Sequence, residues 1–306
     1  MRSDHRRGRG LRRGGLAALL VVPLLAACAT PELPAKTPSA TQLSGQAVGD
    51  ALERASLMLA DGRTQDAFEE YGRVLNADPD NVEAKLGVAE ARMADGNLQQ
   101  AKELFDETAK LPAAKPRALQ GRGLALLMLG QRDGAAEALR GAVEADAKLW
   151  RAWNALGQLA DDQRQWDDAR ASYDKALATT TAPWIVYNNI GFSLLLQGKQ
   201  DESREFFAKS LQLHPGTEVA DNNRRLALAL QGKYTEAVTG VAKERLPAAL
   251  NNAGYAAMLR GEYPGAESYL ARAIETSPSF YEMAAKNMLR LNALSGRDGG
   301  AATVTR

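Results

Sequence analysis

Small residues recur every 34 positions through most of this chain, at Ala67, Ala101, Ala135, Ala169, Ser203 and Ala237. A register that holds through six units restricts the chain to a repeat architecture, in which each unit is one supersecondary element that buries its apolar face against its neighbours. Glycines keep the same beat at Gly62, Gly96, Gly130, Gly198 and Gly232, with Arg164 the one departure. So do bulky residues at Tyr71, Phe105, Leu139, Tyr173, Phe207 and Val241, four positions after each small one and so on the same helical face. A seventh unit follows a deletion of five, because Gly261, Ala266 and Leu270 lie 29 residues beyond Gly232, Ala237 and Val241.

Each glycine is placed to end one amphipathic helix and open the turn into the next, since it tolerates the left-handed backbone of a helix terminus. Each small residue then lets the two helices approach closely. Pro79, Pro215 and Pro278 halt the second helix of their units. Aromatic residues are only 6% of the chain, and no alternating run of Val, Ile and Thr suggests a sheet, so the expected fold is all-α.

In the fourth unit Trp153, Leu156, Gly157, Ala160, Ala169, Tyr173 and Ala176 fall where the tetratricopeptide repeat has its W, L, G, Y, A, F and A, with Ala160 departing from the usual Tyr. The chain resembles that family over roughly residues 48 to 280. The resemblance implies a right-handed superhelix of about seven helix pairs, with units near 48–81, 82–115, 116–149, 150–183, 184–217, 218–246 and 247–280. The sixth unit has Arg225 where a small residue is expected and a shortened second helix. Residues 281–294 read as a C-terminal capping helix, closing a TPR domain of 48–294, and 295–306 as a disordered tail.

The amino terminus reads as an address. Arg2, Arg6, Arg7, Arg9, Arg12 and Arg13 precede an apolar run from Leu16 to Ala27 that is too short to span a bilayer. The run ends in Leu25-Ala26-Ala27-Cys28, which resembles the bacterial lipobox. Residues 1–27 are therefore expected to be a lipoprotein signal peptide, with a covalent lipid on Cys28 as the anchor and no other cofactor. Ala29, rather than an aspartate, follows the cysteine, which by the family's sorting rule points to the outer membrane, facing the periplasm. Residues 28–47, with Pro31, Pro34 and Pro38, have a composition that cannot bury a core and would tether the fold roughly 25 to 60 Å from the membrane.

Beyond residue 27 the chain holds 32 basic and 36 acidic residues, a net charge of −4, which argues against nucleic acid as a partner. The single cysteine permits neither an intramolecular disulfide nor a cysteine-rich metal site. Histidine is restricted to His5, in the signal peptide, and His214, before Pro215, so neither a catalytic triad nor a histidine metal site can be assembled. No phosphate loop or dinucleotide fingerprint occurs. The chain is expected not to be an enzyme and to take no small-molecule substrate, a carboxylate-only hydrolase being the remote alternative. Asp161-Asp162 and Asp167-Asp168 read as a solvated helix turn, and Trp150, Trp153, Trp166 and Trp184 as packing residues.

Three units carry paired asparagines: Asn188-Asn189, Asn222-Asn223 and Asn251-Asn252. Phe192, Leu226 and Tyr255 follow three residues after the second asparagine. By the geometry of the resembled family these face the groove lined by the first helices. There an amide ladder can satisfy a peptide backbone and the apolar residues can supply pockets. Equally, the amides can tie neighbouring repeats together while the apolar residues pack between helices.

The stretches Asn188-Asn189-Ile190-Gly191-Phe192-Ser193-Leu194-Leu195-Leu196-Gln197-Gly198 and Asn223-Arg224-Arg225-Leu226-Ala227-Leu228-Ala229-Leu230-Gln231-Gly232 resemble TadD, the lipoproteins of the Tad (Flp) pilus assembly system. Arg224 and Arg225 depart from that family's apolar start to the run. The resemblance implies an outer-membrane scaffold whose partners are the secretin or other Tad components. Another repeat lipoprotein, such as a type IV pilotin or an adaptor of envelope-maintenance enzymes, is the alternative.

Overall fold

The computed structural model describes residues 45–277, 279 and 281–296. The expected signal peptide, Cys28, most of the tether, Pro278 and the tail beyond Gly296 lie outside the described residues.

The described residues form helices and connecting turns with no strand. Seven helix pairs follow in order: α1 (Gly45–Ala60) with α2 (Thr64–Ala77), α3 (Val82–Ala94) with α4 (Leu98–Thr108), and α5 (Lys115–Met128) with α6 (Arg132–Ala145). Then come α7 (Trp150–Asp162) with α8 (Trp166–Thr179), α9 (Pro183–Leu196) with α10 (Gln200–Leu213), α11 (Glu218–Leu230) with α12 (Tyr234–Val238), and α13 (Leu246–Leu259) with α14 (Tyr263–Thr276). A fifteenth helix, α15 (Glu282–Leu294), packs on α13 and α14 as the first helix of a further unit would. Each first helix touches its own second helix, the second helix before it and the next first helix, whereas successive second helices meet only through long side chains among the described residues, as where Arg170 of α8 lies over the Phe206 ring of α10 and Tyr234 of α12 meets Tyr269 of α14. The first helices therefore form one continuous wall, and the second helices form a separate outer layer.

The turn glycines adopt left-handed backbone, with φ near 75 to 83° from Gly62 through Gly261. Arg164 holds the same turn at φ 58°, a conformation that costs a non-glycine residue about 1 kcal/mol.

The pairs close on a small residue set against a large one. A Cβ built on Gly157 would lie 2.6 Å from the Tyr173 ring, and one on Gly191 would lie 2.6 Å from the Phe207 ring. Tyr173, Phe105 and Phe207 are consequently among the most deeply buried side chains of the chain. The periodic alanines Ala67, Ala101, Ala135, Ala169 and Ala266 are likewise fully buried.

The sixth unit breaks this pattern. Arg225 occupies the place that Gly191 holds one unit earlier, and its guanidinium donates to Asp221 Oδ2 at 2.8 Å and to the carbonyls of Ala237 at 3.1 Å and Thr239 at 2.8 Å. Those carbonyls end α12 after five residues, where a longer helix would have bonded them internally. With its second helix cut short, α11 packs on α13 more extensively than any other two successive first helices pack.

Gly191→Ala is expected to cost about 1–3 kcal/mol by overpacking against Phe207, seen as a lower denaturant midpoint by circular dichroism. Gly265→Ala, in α14 with nothing within 4 Å of its missing Cβ, should be neutral or stabilising by about 0.5–1 kcal/mol.

Candidate functional site

A wall without an outer covering is where an array of this kind can meet another molecule. Its chemistry is set by one stripe on each first helix, at i, i+3 or i+4, i+7 and i+11, a spacing that keeps all of these side chains on one helical face. In α9 the stripe runs Ile185, Asn188 and Asn189, Phe192 and Leu196; in α11, Val219, Asn222 and Asn223, Leu226 and Leu230. In α13 it runs Ala248, Asn251 and Asn252, Tyr255 and Leu259. None of these residues is charged. The earlier helices differ, since Glu83 of α3 pairs with Arg117 of α5, and Glu90 and Arg151 lie close by, each attracting or repelling the others.

Most of the asparagine amides are spent within the fold. Asn189 Nδ2 donates to Asn154 Oδ1 at 2.9 Å across α7 and α9, and Asn223 Nδ2 donates to Asn188 Oδ1 at 3.0 Å across α9 and α11. Asn188 in turn donates to Asn189 Oδ1 at 3.3 Å. At the far end Asn287 of α15 donates to Asn251 Oδ1 at 2.8 Å, and Asn251 is 2% exposed. The sequence did not suggest Asn154 or Asn287, which complete these rungs; Asn154 sits 34 residues before Asn188, so the repeat beat was the signal for it.

Of the two readings open at the level of sequence, the geometry realises the tie between neighbouring repeats for Asn188, Asn189, Asn223 and Asn251. The rung between α11 and α13 does not form. Asn222 and Asn252 are 30 residues apart where the bonded pairs are 35 or 36 apart, and neither makes a side-chain hydrogen bond among the described residues. They are the two amides of the expected set that remain open.

The three apolar residues divide as well. Leu226 is buried against Leu195, Phe207 and Ala227, with Phe192 packed beside it half-buried. Tyr255 is half-buried against Met258 and Leu291. What sequence reasoning missed is the pair of apolar rails that bracket the stripe. Ile185, Val219 and Leu259 are exposed on it, and α15 continues it with exposed Met283 and Leu294. The signal was present, since Val219 follows Ile185 at the repeat interval of 34.

One acidic residue needs correction. Asp161 is not part of a solvated turn: it is buried at 6% exposure, accepting 2.7 Å from the Tyr173 hydroxyl and 2.6 Å from Ser193 Oγ, and so it links α7, α8 and α9. Burial holds its carboxyl above the usual carboxylate range, although both hydrogen bonds favour the ion. Asp162 pairs with Arg132, while Asp167 and Asp168 are exposed in the first turn of α8. No cluster of three or more potential metal-ligating His, Cys, Asp or Glu residues is found among the described residues. Trp150 and Trp153 pack against the core beneath α7 to α9, and Trp184 stacks on His214 at 4.9 Å.

Sequence models described as tetratricopeptide repeat match residues 58–121, 121–183, 154–217 and 248–277, together well over half of the chain. The chain belongs to the tetratricopeptide-repeat family. The matched spans leave out residues 218–247, which hold α11 and the truncated α12. A search of curated protein sequences finds no match.

Among solved structures, a chain of the APC/C hetero-tetramer Cut9-Hcn1 superimposes with a TM-score of 0.64 at 14% identity, over 80% of this chain and 51% of that one. This protein thus spans about half the length of that relative. A tetratricopeptide repeat protein from Parabacteroides merdae matches with a TM-score of 0.54 at 16% identity, over 81% of this chain and all of that one. A thermophilic TPR protein in Thermus thermophilus matches with a TM-score of 0.52 at 21% identity, over 59% of this chain and 98% of that one. At such identities the likeness is one of fold. Tetratricopeptide arrays are typically interaction scaffolds without catalytic activity, and proteins are the kind of partner the family suggests.

Replacing Asn223 with Ala is expected to cost about 1 kcal/mol through the lost rung to Asn188, and a double-mutant cycle with Asn188→Ala should recover a coupling of that order. Asn222→Ala should leave stability unchanged. Asp161→Asn gives a pH signature. Because the folded carboxyl titrates above its unfolded value, its ionisation removes stability as pH rises from the unfolded value through the folded one. The variant should therefore gain melting temperature relative to the parent as pH rises through that window and lose the gain as pH falls back to the usual carboxylate range, as read by thermal scans.

Proposed function

We propose that this protein is a non-enzymatic, lipid-anchored scaffold that holds a protein partner on its wall of first helices. The observation that carries the reading is the uncharged stripe of α9, α11 and α13, where exposed Ile185, Val219 and Leu259 flank the open amides of Asn222 and Asn252. Large apolar side chains left in water on one helical wall mark an interaction surface rather than a reaction centre. The family's usual role as an interaction scaffold supports the same conclusion.

The finer reading is that the partner belongs to the Tad pilus machine and that the anchor is a lipid on Cys28. It rests on the sequence of the amino terminus and on the resemblance of residues 188–198 and 223–232 to the TadD lipoproteins. A lipid at Cys28 fixes the location at the outer membrane with two or three acyl chains, each buried methylene contributing about 0.8 kcal/mol. The array then presents its wall to the secretin or another component on the periplasmic side.

Cys28→Ala is expected to abolish incorporation of labelled palmitate and to move the protein out of the membrane fraction; retained label would refute the anchor. Deleting the gene should abolish surface pili and reduce secretin multimers, and normal piliation would remove the Tad assignment while leaving the scaffold reading intact.

A further inference from the structure

Nine large apolar side chains are exposed among the described residues, and five of them fall on one surface. Ile185, Val219 and Met283 stand at the start of the stripe on α9, α11 and α15, and Leu259 and Leu294 at its end on α13 and α15. They stand at two levels of the stripe eleven residues apart, roughly 16 Å at 1.5 Å per residue; α15 is exposed at both, while half-buried Leu196 of α9, Leu230 of α11 and Ala248 of α13 fill the other places along the two rails. An α-helix with its side chains is about 10–12 Å across, which fits between them. Four successive first helices at about 8–10 Å spacing give the stripe a length of roughly 24–30 Å.

The hydrogen-bonding capacity between the rails decides what fits. An extended peptide laid across apolar side chains must find partners for its own N–H and C=O groups, and each one left unpaired costs it free energy. Here the rungs joining Asn154 to Asn189, Asn188 to Asn223 and Asn251 to Asn287 hold six amides in place and use part of the capacity of each. Asn222 and Asn252 alone of the stripe's paired asparagines make no side-chain hydrogen bond among the described residues, which leaves a sparse and irregular set of partners for a strand that crosses four helices. A helix satisfies its own backbone and needs only apolar contact. Charge fixes the direction. The stripe is uncharged from α9 through α13 and meets on α15 an exposed arginine, Arg290, that makes no ion pair among the described residues; neighbouring Lys286 is already paired with Glu282.

We propose that the rails from α9 to α15 receive a partner as an amphipathic α-helix of about 16–20 residues, with an uncharged apolar face on the rails and an acidic residue over Arg290. The inference rests on the reading of this wall as the protein-binding surface and specifies the form of what binds.

The test uses the purified full chain and three synthetic 18-residue peptides, followed by fluorescence anisotropy and circular dichroism. The first is a Leu/Ala/Gln helix with two glutamates at one end, the second carries a central proline, and the third has lysines in place of the glutamates. The acidic helix should bind and gain helicity, and the proline peptide should bind at least tenfold more weakly. Val219→Glu, at a site 52% exposed, should weaken binding at least tenfold without changing the melting temperature. Arg290→Glu should reverse the preference between the acidic and basic peptides. Equal binding of the proline peptide, an unaffected Val219→Glu variant, no reversal at Arg290 or no binding at all would overturn the proposal. So would a dimer in sedimentation velocity that Val219→Glu dissolves, because the occupant would then be a second copy. A photo-crosslinker placed at residue 219 in cells separates the two readings. A crosslinked protein alongside failed peptide binding removes the helix and keeps the scaffold, and no crosslink removes both.

Discussion

The array depends on one contact repeated along it: a residue with little or no side chain on the first helix, set against a bulky side chain on the second. Gly157 faces Tyr173, Gly191 faces Phe207, Gly254 faces Leu270 and Gly123 faces Leu139. Each pairing brings two helix backbones close enough for the bulky group to be wholly enclosed, and an aromatic ring buries about 150–250 Å² in such a seat. Because each unit repeats the pairing at the same register, each presents the same side of its first helix to the next unit. The continuous wall follows from that, and so does its capacity to collect side chains from helices far apart in sequence.

The sixth unit shows what happens when the contact is replaced. An arginine cannot make room for a ring, and Arg225 instead turns its guanidinium onto Asp221 and the carbonyls at the end of α12. Arg224 and Arg245 also converge on Asp221, whose carboxyl is held below the usual range by the guanidinium hydrogen bonds that outweigh its burial. The second helix stops after one turn, α13 settles more extensively on α11, and the amide rung found at other junctions is lost there. A local exchange of packing for charge thereby accompanies a change in the chemistry of the wall on α11 and on α13, leaving Asn222 and Asn252 open.

That wall is neutral and apolar over α9, α11 and α13, across the very unit whose spacing is irregular. Polar groups are present, but they are largely satisfied by each other, and so they contribute cohesion between repeats more than capture of a partner. Recognition then falls to exposed aliphatic side chains, a mode suited to a folded, self-bonded segment. A lipid anchor on a tether would restrict such a surface to partners near one membrane, which joins the two ends of the chain in one proposed role.

The fold was legible because its information is one-dimensional. A period of 34, glycines at the turns and small residues beneath bulky ones specify helix pairs without knowledge of anything distant in sequence. The truncation of the sixth unit was legible for the same reason, as a deletion and an arginine out of place. The site was legible only in part. Sequence put the asparagines on the stripe, but whether an amide bonds its neighbour or waits for a ligand depends on how closely two helices pack. That distance is set by the side chains beneath them, as the formed rung at Asn188 and Asn223 and the missing one at Asn222 and Asn252 show. Asp161 was misread for a related cause: its place next to Asp162 suggested a wet turn, while its direction is fixed by Tyr173 and Ser193 on two other helices. The repeat, the register and the identity of the wall are all written in the order of the residues. Which polar groups of that wall are already bonded is settled by packing, because hydrogen bonds between helices are made across space, at spacings that no single helix encodes.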